Sequence, residues 1–362
     1  MKERWAWVAA VPVECVFRSS PVRPLQGGGW GLRSGGPAAG GILIVVLWTL
    51  FILAALAVAV AAYVGGQVEL ARRLGDRALA RQAARAGVDH AVARVMLETN
   101  GWEALTEGWA NDPGEFRAVD CGSRMRWTAL YTVEQSDGSV VTNFGLNDEQ
   151  ARIDLNLARE EVLVSLFKVM AGLSGEQAAG LARSVVRART AVTPGASAQG
   201  GLDEDAWVDS GLGNGTFQSV HELLWVRGMT REILEKILPY CTVHGAGRVN
   251  LNTAGPGVLR VLASIRGQAA EGWERKILQF REQGGIFRTL SATGFPDATG
   301  GKAAVLSPED QAVLGGMLPF ITVTSDHFRG NVMAGSEAGR MRAGITFVWD
   351  RRERRFLYWH EE

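Results

Sequence analysis

From Ile42 to Val64 the chain carries no charge, and Thr49 alone interrupts its apolar character. As a helix rising ~1.5 Å per residue, the run spans ~35 Å, against a bilayer hydrocarbon core of ~30 Å. The helical pattern does not stop there. Glu69-Leu70-Ala71-Arg72-Arg73 carries it on toward Leu97, rich in Ala, Leu and Arg and free of proline. The pattern predicts one long N-terminal helix, greasy in its first half and amphipathic in its second. That architecture suits a protein anchored by its N-terminus and able to be built into a filament, or, as the alternative, a generic anchored periplasmic scaffold.

Beyond this helix, Trp102 to Asp120 reads as irregular. Met125 to Val133 alternates as a strand, Asp137-Gly138 is a hairpin signal, and Val140 to Phe144 is the returning strand. Near the other end, Phe320–Thr324 and Met341–Trp349 read as strands. A charged turn, Asp350 to Arg354, then leads into Phe356–Trp359. Strand-like segments thus bracket a helix-rich block, which holds an internal repeat. Arg152-Ile153-Asp154-Leu155-Asn156-Leu157-Ala158 resembles Arg248-Val249-Asn250-Leu251-Asn252-Thr253-Ala254. Each copy precedes a helical stretch, so Asn156 and Asn252 are expected to cap the free N–H groups of a first turn. A middle unit opens at Phe217-Gln218-Ser219-Val220, where Ser219 and Glu222 have the spacing of a capping box. It closes at Tyr240-Cys241-Thr242-Val243.

The length of 362 residues allows two or three domains. Lys+Arg and Asp+Glu both number 38, and that balance gives no support to wholesale nucleic-acid binding. Twelve tryptophans suit packed cores and interfaces better than disorder. Of the three cysteines, none forms a CxxC pair, which argues against zinc and thioredoxin-type chemistry. Cys121 and Cys241 would either pair in an oxidising compartment or stay as two buried thiols. Residues 1–41 are punctuated by glycines and do not read as a folded unit. A secretory signal peptide is disfavoured because its apolar stretch would be shorter and the helix here continues. Arginines flank the run on both sides, so charge does not orient it.

Candidate chemistry is sparse. The helix-rich block resembles a helix-hairpin-helix arrangement, which in membrane-anchored ComEA-type DNA receptors binds duplex backbone. Such hairpins need main-chain N–H groups facing phosphate and nearby cations. Here the turns read Gly172-Leu173-Ser174-Gly175-Glu176 and Gly228-Met229-Thr230-Arg231-Glu232, with an acid just after each. Hairpins that simply pack helices fit better, and nucleic acid is not an expected partner. None of the histidines forms an HExxH or nucleophile-elbow motif, so no enzymatic activity is expected. Asp203, Glu204, Asp205 and Asp209 sit in a glycine-rich stretch. They read as a calcium site or as a solvated acidic loop, without EF-hand spacing.

Taken together, the motifs resemble the minor pseudopilin K of type II secretion systems (general secretion pathway protein K). The carrying residues are Gly41 before ILIVVLWTLFILAAL, Phe217-Gln218-Ser219-Val220 with Glu222-Leu223, Gly228-Met229, RVNLNTA at 248–254, and the strands from Phe320 onward. The resemblance implies an α+β, pilin-like fold: a long N-terminal helix packed on a small antiparallel sheet, with a large inserted all-α domain of helix-hairpin-helix or SAM-like type. The expected division is a leader at 1–41, a transmembrane helix at 42–64 and its amphipathic continuation at 65–100. A first β part at 101–155, an inserted helical domain at 156–319 and terminal strands at 320–362 follow. Prepilin peptidase would cleave between Gly41 and Ile42, with methylation. The leader is long for such proteins, so translation starting at Val22 or Leu32 is a further expectation. Val46 occupies the position where most pilins carry Glu, an absence shared by K-type pseudopilins and suited to a tip subunit. Implied partners are the I-, J- and H-type minor pseudopilins, the inner-membrane secretion platform and the peptidase. The implied location is the bacterial inner membrane, single-pass, with the bulk of the chain periplasmic. Relatives carry an Asp-rich stretch tied to calcium after the helix equivalent to 176–189. Here Arg187-Ala188-Arg189-Thr190 replaces much of it, leaving only the acids at 203–209.

Overall fold

The computed structural model describes residues 39–122, 124–135, 138–190, 215–270, 272–290, 308–336 and 342–362. The described residues divide into two units, the first ending at Gln67 and the second running Val68–Glu362. The described part of the first unit is helical and belongs to α1, which runs Ala39–Leu97. Its apolar side chains from Ile42 to Val64 are all exposed.

In the second unit α1 becomes a core helix. Ala80, Ala83, Ala84, Val88, Ala91 and Val95 are fully or nearly fully buried, a stripe at three- and four-residue spacing. These small residues let the helix lie close to a sheet. At Gly87 a Cβ would stand 2.7 Å from the Trp127 ring and from Val332 Cγ1, so only glycine fits there without displacing sheet side chains. The short α2, Pro113–Phe116, is capped by Asp112, whose side chain accepts from the N–H groups of Gly114 and Glu115.

The sheet is antiparallel. It contains β1 (Val119–Asp120), β2 (Met125–Glu134), β3 (Val140–Phe144), β4 (Asn147–Asp148), β9 (His327–Ser336), β10 (Arg342–Asp350) and β11 (Arg355–Glu361), in the order β1-β2-β9-β10-β11. β3 pairs with the second half of β2 through the predicted hairpin, and Gly138 adopts φ 81° in its turn. β4 pairs with the start of β9. Trp127, Ala129, Val332, Ala334, Ile345 and Phe347 join the α1 stripe in one core. The central strand β9 is absent from the sequence expectation. Gly330, Asn331 and Gly335 lower its strand propensity, yet at Gly330 a Cβ would meet the Phe347 ring at 2.2 Å.

A second core joins buried residues from Ile153 to Val323. Its helices are α3 (Glu160–Val169), α4 (Gly175–Thr190), α5 (Arg231–Ile237), α6 (Pro256–Ile265), α7 (Trp273–Glu282) and α8 (Pro308–Met317). This block is helix-rich rather than all-α. β5 (Ile153–Asp154) pairs in parallel with β6 (Cys241–Thr242), and β7 (Val249–Asn250) with β8 (Ile321–Thr322). The strand expected over Phe320–Thr324 is therefore a two-residue pairing inside the block, not part of the main sheet. The terminal sheet strands begin at His327.

Candidate functional site

Gly41 and Ile42 lie in the opening turns of α1, and no other group lies within 4 Å of a Cβ built on Gly41. Ile42 is 72 % exposed and Val46 47 % exposed. The single polar side chain of the run is satisfied within the helix: Thr49 Oγ1 donates to the Val46 carbonyl at 2.8 Å. The segment therefore meets the requirement for entering hydrocarbon, with its polar groups bonded internally. By length and composition α1 is able to cross a membrane.

The repeated motif has a structural meaning the sequence did not disclose. Asn156 and Asn252 cap no helix. The N-cap positions of α3 and α6 are Arg159 and Gly255, neither with a side-chain bond. Each asparagine instead clamps the main chain of a distant phenylalanine. Asn156 Oδ1 accepts from Phe217 N at 2.8 Å, and its Nδ2 donates to Phe217 O at 2.9 Å. Asn252 Oδ1 accepts from Phe287 N at 2.8 Å, and its Nδ2 donates to Phe287 O at 2.9 Å.

The rest of each unit follows the same plan. Arg189 donates to the carbonyls of Leu155 and Ala158, and Arg281 to those of Leu251 and Ala254. Leu155 N donates to Thr242 O and Leu251 N to Thr322 O, which sets the two parallel pairs. Burial lowers the Arg281 pKa to about 10. The structure thus shows two copies of one unit, each tied by an asparagine and an arginine. A sequence signal for the second half existed: Leu238-Pro239-Tyr240-Cys241-Thr242-Val243 parallels Leu318-Pro319-Phe320-Ile321-Thr322-Val323.

Where the two cores meet, a buried polar seam forms. Asp148 Oδ2 accepts from Thr253 Oγ1 at 2.5 Å, Ser325 Oγ at 2.6 Å and Asn250 Nδ2 at 3.2 Å. Asp148 Oδ1 accepts from Gln150 N at 2.7 Å. Glu103 accepts from Ser325 N and from Arg351 Nη2, both at 2.5 Å. Burial pushes Asp148 up to about 6 and Glu103 up to about 7, against the opposing pull of their donors. Glu149 is the contrast. Burial alone would raise it, but Arg152 and Arg329 outweigh that and hold it at about 2. Its oxygens accept from Arg152, Arg329 and Thr242.

The remaining expected site residues do not converge. Cys121 and Cys241 are both free: the first is exposed, the second buried in β6. The bridge left open by the sequence is not formed. Cys121 Sγ donates to Met125 O at 3.2 Å, and burial pushes the Cys241 thiol up to about 12. Asp203, Glu204, Asp205 and Asp209 lie outside the described residues. Among the described residues no group of three or more His, Cys, Asp or Glu side chains could hold a metal ion.

Comparison with known proteins places this geometry. No family model matches the chain, and no curated protein does. Among solved structures, it is similar to a chain of the GspK-GspI-GspJ complex of the enterotoxigenic Escherichia coli type 2 secretion system. The likeness has a TM-score of 0.51 at 14 % identity and covers 83 % of this chain and 99 % of that one. At that identity the likeness defines the fold: a pseudopilin-like α+β body carrying one long apolar N-terminal helix.

Proposed function

We propose that this chain is a minor pseudopilin of a type II secretion system, of the K type. The observation that carries the reading is the pairing of an exposed membrane-length helix with a body whose fold matches a chain of a pseudopilin complex. The protein would be held in the inner membrane by α1, with its body in the periplasm. It would then leave the bilayer as α1 packs against the helices of I-, J- and H-type pseudopilins on the secretion platform.

The helix-rich block, as an insertion in the pilin-type body, would obstruct addition of a further subunit and so cap the tip and help initiate assembly. Val46 fits that role: a tip subunit has no subunit above it for a glutamate to engage, and a carboxylate is costly inside a bilayer. Prepilin peptidase would release the leader between Gly41 and Ile42.

Co-expression with prepilin peptidase, followed by intact-mass measurement, tests the reading. The expected product begins at Ile42, and a Gly41→Leu variant stays unprocessed. A wild-type chain that the peptidase leaves intact would overturn it in favour of a plain anchored scaffold or a DNA receptor.

A further inference from the structure

We propose that Glu103 and Asp148 form a proton-operated latch between the sheet and the second repeat of the helix-rich block. Ser325 is the hub of the geometry. Its main-chain N–H donates to Glu103 Oε2, and its hydroxyl to Asp148 Oδ2. The two carboxylates are thus joined through one residue, and Asn250 links them again by donating to the Glu103 carbonyl at 3.1 Å and to Asp148. Glu103 follows α1 and Asp148 lies on β4, on the sheet side. Asn250 and Thr253 belong to the second repeat, and Ser325 joins that repeat to β9.

The charges around the pair do not balance when both are ionised. Glu103 and Asp148 are 1 % and 0 % exposed. Arg351 is the cation bonded to Glu103, and it also lies 3.9 Å from Asp326, whereas the partners of the Asp148 carboxylate are the neutral donors Thr253, Ser325, Asn250 and Gln150 N. Arg152 and Arg329 are engaged by Glu149. Tyr131, near Asp148, gives its hydroxyl to the Ala110 carbonyl. Glu107, on the Glu103 loop, accepts from Ala104 N and Trp109 Nε1 and adds no positive charge. His327 lies 3.7 Å from Asp350 at the edge of this region.

Two buried anions beside one cation, which is bonded to Glu103 alone of the two, favour a state that keeps one proton. The hydroxyls of Ser325 and Thr253 can serve both states, because each can donate to a carboxylate or turn to accept from a carboxylic acid. A single proton therefore closes the network. Its loss leaves two like charges facing each other across Ser325, and the second repeat loosens from the sheet. The inference rests on the seam alone and stands apart from the proposed role in secretion.

Hydrogen exchange on the full chain in detergent micelles tests it, at pH 5.5 and pH 8.0, corrected for the intrinsic pH dependence of exchange. Protection over residues 249–254 and 324–326 is expected to fall about tenfold or more between the two values, since each unit of pH past a midpoint changes the protonated fraction about tenfold. Residues 160–190 should hold constant. In Glu103→Gln and Asp148→Asn the drop should vanish, because each variant keeps a single carboxylate and never places two like charges across Ser325. Equal drops in wild type and variants, or none in wild type, would overturn the latch. If the variants fail to fold, infrared spectroscopy of the wild type decides. A protonated carboxyl band at pH 5.5 that is lost by pH 8.0 supports the proposal, and its absence at pH 5.5 refutes it.

Discussion

Replacing Asn156 by alanine should strike at the device that organises the helix-rich block. The change removes three hydrogen bonds: Phe217 N to Oδ1 at 2.8 Å, Nδ2 to Phe217 O at 2.9 Å and Nδ2 to Val243 O at 3.1 Å. At a net ~1 kcal/mol per bond the loss is about 3 kcal/mol. Phe217 is 2 % exposed, so water cannot readily replace the asparagine at its main chain, and the cost should sit at or above that figure. Asn252→Ala removes the matching pair at Phe287 and should cost about 2 kcal/mol. Because the residues serve separate copies of the unit, the double variant should be close to additive. The assay is urea unfolding of the full chain in detergent, followed by tryptophan fluorescence. A shift for Asn156→Ala below about 0.5 kcal/mol, within the range of a neutral surface change, would refute the clamp.

Three further outcomes follow from the same structure. Gly87→Ala should lower the melting temperature although alanine is the better helix former by ~1 kcal/mol, because its Cβ meets Trp127 and Val332 at 2.7 Å and overpacking costs ~1–3 kcal/mol. A rise on circular-dichroism melting would contradict the close approach. The pH profile of stability should have opposed limbs. Glu149, held at about 2, contributes stability that is present above pH 4.5 and lost as the pH falls toward 2. Asp148 and Glu103, raised to about 6 and about 7, withdraw stability as the pH climbs through those values. The falling limb begins once the pH passes the ordinary carboxylate values of 3.8 and 4.5, so a urea midpoint measured from pH 3 to 8 should peak at about pH 4, and Glu149→Gln should flatten the acid limb. Iodoacetamide should label exposed Cys121 in the native protein and leave buried Cys241 unmodified until urea is added. Equal labelling of both would show that the helical core is open.

What the sequence disclosed tracks the range of each interaction. Helix α1 and the β2–β3 hairpin were legible because apolar run length, helical period and an Asp-Gly turn are local signals. Strand β9 was not, because Gly330 makes room for the neighbouring Phe347 ring, a partner on another strand. The Asn-containing repeat was visible, yet its purpose was misread. A helix cap is the local use of asparagine, whereas Asn156 reaches 61 residues along the chain to Phe217. The seam was invisible for the same reason. Glu103 and Asp148 carry no spacing signal, and Ser325, which joins them, lies 177 residues beyond Asp148.

The most direct test of the central claim is co-assembly. The full chain, co-expressed with prepilin peptidase and the I- and J-type minor pseudopilins of its own organism, should copurify with both as a stoichiometric complex on size exclusion with light scattering. A chain that elutes alone under conditions in which the I–J pair forms would contradict its assignment as a minor pseudopilin.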